Sequence, residues 1–152
     1  MKKEYLNSIL ESTKSVIDMV CQEDIKKGAP YIKNNPYSMN DISVNIGITG
    51  ELKGQFVLSL TEDAVKYIAS QMMGGMEISD IEMGKSAIGE LSNMIMGNAG
   101  TKLSELNKTI DITPPMIIEG KVSISNPHQT ISLPFKTKNN MELEVNISIV
   151  EV

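Results

Sequence analysis

An acid and an amide, Glu90 and Asn93, stand three residues apart in the stretch SAIGELSNMIMGNAGTKLSE, residues 86–105. On a helix, positions three apart are neighbours, so the two side chains project into the same space. A carboxylate there can hold a cationic partner, and an amide can both donate and accept a hydrogen bond, which suits it to orienting a water molecule. At about 100° per residue, Ser86, Asn93, Gly97, Gly100, Thr101 and Ser104 fall within roughly 100° of arc on the Glu90 side. A solvated helix face usually carries long Lys, Glu, Gln or Arg side chains. This one is almost bare, although each interior glycine costs about 1 kcal/mol relative to alanine. Two explanations fit. Another protein approaches the cleared face beside Glu90 and Asn93, or the N-terminal helix packs closely on it, and the residues alone leave both open.

The elements that position this pair follow from periodicity. Ile88, Leu91, Ile95, Ala99, Leu103 and Leu106 share the opposite arc, which predicts a helix over roughly 80–107 with one face on a core. Asn93 and Asn98 both read as buried amides on it. Residues 2–22 carry Leu6, Ile9, Leu10, Ile17, Val20 and Cys21 at helical steps, and 62–73 form a further helix capped by Thr61. Residues 41–49 and 51–60 alternate apolar and polar, a hairpin turning at Gly50 with Phe56, Leu58 and Leu60 inward. Two more alternating runs cover 129–137 and 141–150, and the Pro pair at 114–115 precedes another strand. The Pro-, Gly- and Asn-rich segment 26–40 reads as a connecting loop. The order is α-β-β-α-α-β-β-β. Short connections imply antiparallel pairing, so the expected fold is α+β, an antiparallel sheet of about five or six strands packed with long helices, in a single domain spanning 1–152.

Composition narrows the function. The chain has 152 residues, a net charge of −5, 14 lysines and no arginine, so it lacks the clustered cations that a nucleic-acid backbone or an anionic membrane surface requires. With 2 Phe, no Trp and 11 Met, the core should be aliphatic, with most of the methionines filling its gaps and an adaptable contact surface as the alternative. No apolar run approaches the roughly 20 residues of a membrane span, and the N-terminus lacks a signal-peptide centre, so a cytoplasmic protein is expected. Cys21, the one cysteine, reads as a small apolar residue near a helix end, and no set of residues has metal-ligand spacing. His128 lies in a turn without a Ser, Cys or second His at a suggestive distance, and GITGELKG lacks the spacing of a phosphate-binding loop. A second Glu-x-x-Asn, Glu4 and Asn7, is followed by Ser8, Ile9 and Leu10 rather than by small residues.

SAIGELSNMIMGNAG resembles the Ser/Asp-x-x-x-Glu-x-x-Asn signature of the CheC/CheX/FliY phosphatases of bacterial chemotaxis. The likeness extends through VNIGITGELKGQFVLSL, MMGG and TPPMIIEG, and the single signature is similar to that of CheX members. The resemblance implies a CheC-like fold and hydrolysis of the aspartyl phosphate on a response-regulator receiver domain such as CheY. By the same resemblance Glu90 would pair with the receiver's active-site lysine, and Asn93 would enter its site and position the attacking water. Ser86, Gly97, Gly100 and Thr101 would lie in the contact. The resemblance implies no cofactor or metal of the protein's own, with Mg2+ supplied by the receiver, and a homodimer, for which open strand edges offer a route. The fold also resembles the middle domain of the flagellar switch protein FliM, which leaves a non-catalytic interaction module as the alternative.

Overall fold

In the computed structural model, which describes residues 2–152, the chain runs α1 (Lys3–Cys21), β1 (Lys26–Lys27), β2 (Tyr31–Lys33), β3 (Tyr37–Ser38), β4 (Ile42–Gly50), β5 (Leu52–Leu60), α2 (Glu62–Met72), α3 (Ile81–Glu105), β6 (Ile110–Ile112), β7 (Met116–Glu119), β8 (Ser123–Ile124), β9 (Thr130–Lys136) and β10 (Glu142–Glu151). The four long strands form the body of one antiparallel sheet in the order β9-β10-β5-β4. Each outer position is shared by two short strands, β1 and β2 beside β9, and β6 and β7 beside β4.

Alternation along the strands becomes rows across the sheet. Phe135, Leu143, Leu60 and Ile42 lie side by side, then Leu133, Val145, Leu58 and Val44, then Ile147, Phe56 and Ile46. All of them are buried, because a period of two places them on one face. Ile9 and Ile17 of α1 and Ile88, Leu91, Ile95, Ala99 and Leu103 of α3 close over that face in one apolar cluster. At about 1.5–3 kcal/mol per buried aliphatic side chain, these rows are what hold the helices down. Gly50 makes the β4–β5 turn with φ of 106°, and a Cβ there would stand 2.8 Å from the Thr109 carbonyl oxygen.

Three expectations need correction. The segment 26–40 is no simple loop, since it contributes β1, β2 and β3. These two- and three-residue pieces are too short to show alternation, and only their partners β9 and β8 define them. With β1 and β2 added beside β9 and β6 beside β4, the main sheet has eight strands rather than five or six, and β3 pairs with β8 in a separate two-stranded sheet, within the expected α+β class. Nor is methionine chiefly core material: Met39 and Met96 are buried, Met19, Met76, Met83 and Met116 are exposed, and Met72, Met73, Met94 and Met141 lie between. The far face of the sheet carries buried polar residues, Ser43, Ser59, Ser132 and Asn146, and on it Tyr37 and Met39 pack on Val57. The open edges are blunted, because every long strand has neighbours on both sides.

Candidate functional site

The site is built on α3, and its precision depends on how firmly that helix is held. The Asp80 carboxylate caps its start, accepting from the Glu82 backbone N–H at 3.0 Å. Lys85, buried in the next turn, donates to Glu82 and reaches across to Glu119, clamping the end of β7 to the helix. The bond to Glu119, then that to Glu82, raises the Lys85 pKa above its ordinary value. Gly84 faces α2: a Cβ there would stand 2.9 Å from Val65 Cγ1. Gly89 faces β7, where its Cβ would meet Ile117 Cδ1 at 3.6 Å and Pro115 Cγ at 3.8 Å.

The N-terminal helix packs on another side of α3. Ser8, Ser12 and Thr13 are buried on α1, and Ser12 Oγ donates to Asn98 Oδ1 at 2.8 Å. Lys102 Nζ and Glu11 Oε2 stand 3.5 Å apart along the same seam. Neither amide is buried as expected: Asn93 is half-exposed, and Asn98 is exposed and accepts from a serine hydroxyl that has no water to turn to.

The arc around Glu90 stays uncovered. Ser86, Glu90, Gly97, Thr101 and Ser104 are exposed, and Asn93 and Gly100 half-exposed. A Cβ at Gly97 would meet nothing within 4 Å, and one at Gly100 only Ile110 Cγ1 at 3.9 Å. The close helix crossing that the glycines could have served is therefore made at Gly84 and through the small residues of α1, not at Gly97 or Gly100. Among the described residues, neither the Glu90 carboxylate nor the Asn93 amide takes part in a side-chain hydrogen bond or ion pair, although their neighbours on α3 do. Two polar groups one turn apart, aimed outward and unengaged, are free to bond to something else.

The duplicate pair has a different setting. Glu4 and Asn7 are also exposed, but Glu11 and Lys14 stand on the face beyond them, and Lys14 is itself paired with Asp18 at 2.6 Å and Asp24 at 2.7 Å. The surface around that pair is lined by charged side chains, Lys2, Lys3, Glu11 and Lys14, rather than by glycines. His128 is exposed in the β8–β9 connection, where its backbone N–H donates to Asn126 Oδ1 at 3.0 Å. Among the described residues no group of three or more His, Cys, Asp or Glu could hold a metal ion, and no helix is long and apolar enough to cross a membrane. Cys21 is buried at the end of α1, and burial pushes its thiol pKa up to about 12.

Sequence reasoning missed two contributors. Gly84 lies on the buried stripe four residues before Ile88, and that position was the available signal for a close helix contact. The other is a groove beside the bare face, walled by Ile110 and Ile112 of β6, and nothing local in the sequence shows that this three-residue strand lies alongside α3.

The geometry has close counterparts. The family model for the chemotaxis phosphatase CheX matches residues 42–136. A CheY-P phosphatase CheX from Thermotoga maritima is 30% identical over 151 residues, covering 98% of this chain and 97% of that one. The crystal structure of a chemotaxis protein CheX from Desulfovibrio desulfuricans superposes with a TM-score of 0.85 at 32% identity, over 97% of this chain and 99% of the other. The crystal structure of a CheX-CheY-BeF3-Mg2+ complex from Borrelia burgdorferi matches with a TM-score of 0.85 at 25% identity, over 99% of this chain and 100% of the other. With a family model matching most of the chain and a relative matching nearly all of it, this protein belongs to the CheX family of chemotaxis phosphatases.

Proposed function

We propose that this protein hydrolyses the aspartyl phosphate of a phosphorylated CheY-like receiver domain, and that Glu90 and Asn93 are the residues that act on it. The observation that carries the assignment of residues is the outward-facing, unengaged Glu90–Asn93 pair on a cleared face of a firmly held helix. An acyl phosphate is already an activated bond. The receiver brings its own Mg2+ and lysine to neutralise charge on the phosphoryl group, which leaves one task for this chain, the placement of a water in line with the bond that breaks. The Asn93 amide suits that task. It accepts from and donates to water, carries no charge to repel the phosphoryl oxygens, and does not compete for the metal as a carboxylate would. The water oxygen attacks phosphorus, the aspartyl oxygen departs with the bonding pair as a carboxylate, and the water's proton ends on the phosphate product.

Glu90 acts before the chemistry. Its carboxylate makes a charge-assisted bond to the receiver's active-site lysine and fixes the register in which Asn93 enters. Ser86, Gly97, Gly100 and Thr101 form the contact surface around the pair. The domain spans 1–152 and works in the cytoplasm as a homodimer. Pairing through sheet edges would have to use strands of two to four residues, so sedimentation at micromolar concentration is the direct check; a species of only monomer mass would remove the dimer.

The enzymatic test follows phosphate loss from a phosphorylated receiver with Mg2+ present. Wild type accelerates it; Asn93→Ala lowers kcat about 100-fold, the scale set by losing the placement of a reactant. Glu90→Ala weakens binding of the receiver by about 10- to 100-fold, as expected for a charged hydrogen bond of about 1.5–3 kcal/mol. No acceleration by wild type, or an Asn93→Ala variant as fast as wild type, would overturn the assignment.

A further inference from the structure

We propose that the groove between α3 and β6 is a second docking element for the receiver domain, in which Ile112 contacts an apolar side chain flanked by basic residues and thereby selects among receivers; this rests on the phosphatase reading above. The groove is lined by Met96, Gly97, Gly100 and Thr101 on the α3 side and by Ile110 and Ile112 on the β6 side. Ile112 sits opposite Ile48 in the β4–β6 register, so it belongs to the helix-facing side of the sheet. Ile48 is 2% exposed there, whereas Ile112 is 37% exposed. Ile112 ends the edge strand β6, and the turns of α3 that line the groove beside it carry Gly97 and Gly100. A residue with a side chain at Gly97 or Gly100 would cover the groove, and each would add about 1 kcal/mol of helix propensity. Stability alone would fill this place, and it is left empty.

Continuity identifies the occupant. Gly97 is about one helical turn beyond Asn93, and the whole run from Glu90 to Ser104 is about 21 Å long at 1.5 Å per residue. A standard interface buries about 800 Å² on each partner, a patch roughly 30 Å across. A receiver seated with its phosphorylation site on Asn93 therefore cannot avoid the groove. The charges set what it presents. Glu105 and Asp111 line the groove and no lysine does. The lysines adjacent in sequence to the lining residues are paired elsewhere, Lys102 with Glu11 and Lys108 with Glu151. An apolar side chain with Lys or Arg beside it fits this wall; an acidic segment is repelled.

The same sheet edge supplies a control. Met116 of β7 is 63% exposed, but it stands opposite Asn45, and its neighbours Pro115 and Ile117 are the residues that face α3, so Met116 points to the far side. The experiment is steady-state hydrolysis of a phosphorylated receiver by the full chain, with wild type, Ile112→Lys, Ile112→Ala and Met116→Lys compared. Ile112→Lys raises KM about tenfold or more and Ile112→Ala about threefold, both with kcat within about twofold of wild type, the signature of lost uniform binding. Met116→Lys changes neither. An unshifted KM in both Ile112 variants, an equal shift in Met116→Lys, or a fall in kcat at constant KM overturns the groove. A wild type without activity refutes the phosphatase reading itself, so the two failures are told apart in one assay. Should Ile112→Lys fail to fold, the KM of Ile112→Ala decides: a rise of about threefold supports the groove and an unchanged value overturns it.

Discussion

Replacing Gly97 by alanine should make the protein more stable and a worse enzyme. The added methyl meets nothing within 4 Å, so no strain offsets the helix propensity it brings. The gain is about 1 kcal/mol, which for a chain of this size raises the melting temperature by about 2–4 °C. The same methyl stands on the face where a receiver seats, about one turn from Asn93. Displacing a reactant by about 1 Å can cost 100-fold. With partial accommodation we expect kcat/KM to fall at least tenfold, equivalent to about 1.4 kcal/mol of transition-state stabilisation. The assay is a thermal melt beside hydrolysis of a phosphorylated receiver. A variant that is more stable and equally active would refute the view that this glycine is kept for access, and a destabilised variant would show that the face is not open. Gly84→Ala supplies the contrast, because its Cβ would stand 2.9 Å from Cγ1 of Val65, a β-branched neighbour that cannot swing aside. Overpacking of about 1–3 kcal/mol there cancels or exceeds the propensity gain, so Gly84→Ala should melt below Gly97→Ala.

Other outcomes follow from the same structure. Cys21 is 2% exposed with its thiol pKa pushed up to about 12, so iodoacetamide at pH 8 should label it only as the fold opens; labelling of native protein at the rate of a free thiol would contradict its burial. The raised pKa of Lys85 means that its bonds to Glu119 and Glu82 contribute fully below its ordinary 10.5 and are lost as pH rises through the raised value. The difference in melting temperature between wild type and Lys85→Met should therefore shrink between pH 8 and pH 11, and a constant difference would exclude an ionic contribution. The double variant Glu4→Ala, Asn7→Ala should retain kcat/KM within about twofold, because that pair is flanked by charged side chains such as Glu11 and Lys14 rather than by the glycines that flank Glu90 and Asn93.

Legibility followed the range of the interaction. Phe56, Leu58 and Leu60 could be placed inward from alternation alone, and all three are fully buried, because a strand's faces are decided by its own period. The stripe from Ile88 to Leu103 was equally plain for the same reason on a helix. Strands β1, β2 and β3 could not be seen, since a two- or three-residue strand exists only by virtue of its partner. Asn98 illustrates the same limit. Its amide looked buried in the sequence, and only the arrival of Ser12 from a residue 86 positions away shows what it does. The methionines went astray because their flexible side chains suit core and surface alike.

The bare face of α3 was legible for a further reason, which also says why it can exist. A helix can carry Gly97 and Gly100, at about 2 kcal/mol together, only where other interactions over-determine it. Here Ile88, Leu91, Ile95, Ala99 and Leu103 are all fully buried, the start is capped by Asp80, and Lys85 ties the first turns to β7. At about 1.5–3 kcal/mol for each large side chain, that buried stripe outweighs the glycines several times over. The surplus leaves the opposite face free to depart from what a helix prefers, and local preference is expected to be broken where a protein keeps room for a partner. Glu90 and Asn93 alone could be a chance spacing. Set between glycines that cost stability and touch almost nothing, on a helix held rigid from behind, they are placed where a water could be aimed at a bond in another molecule.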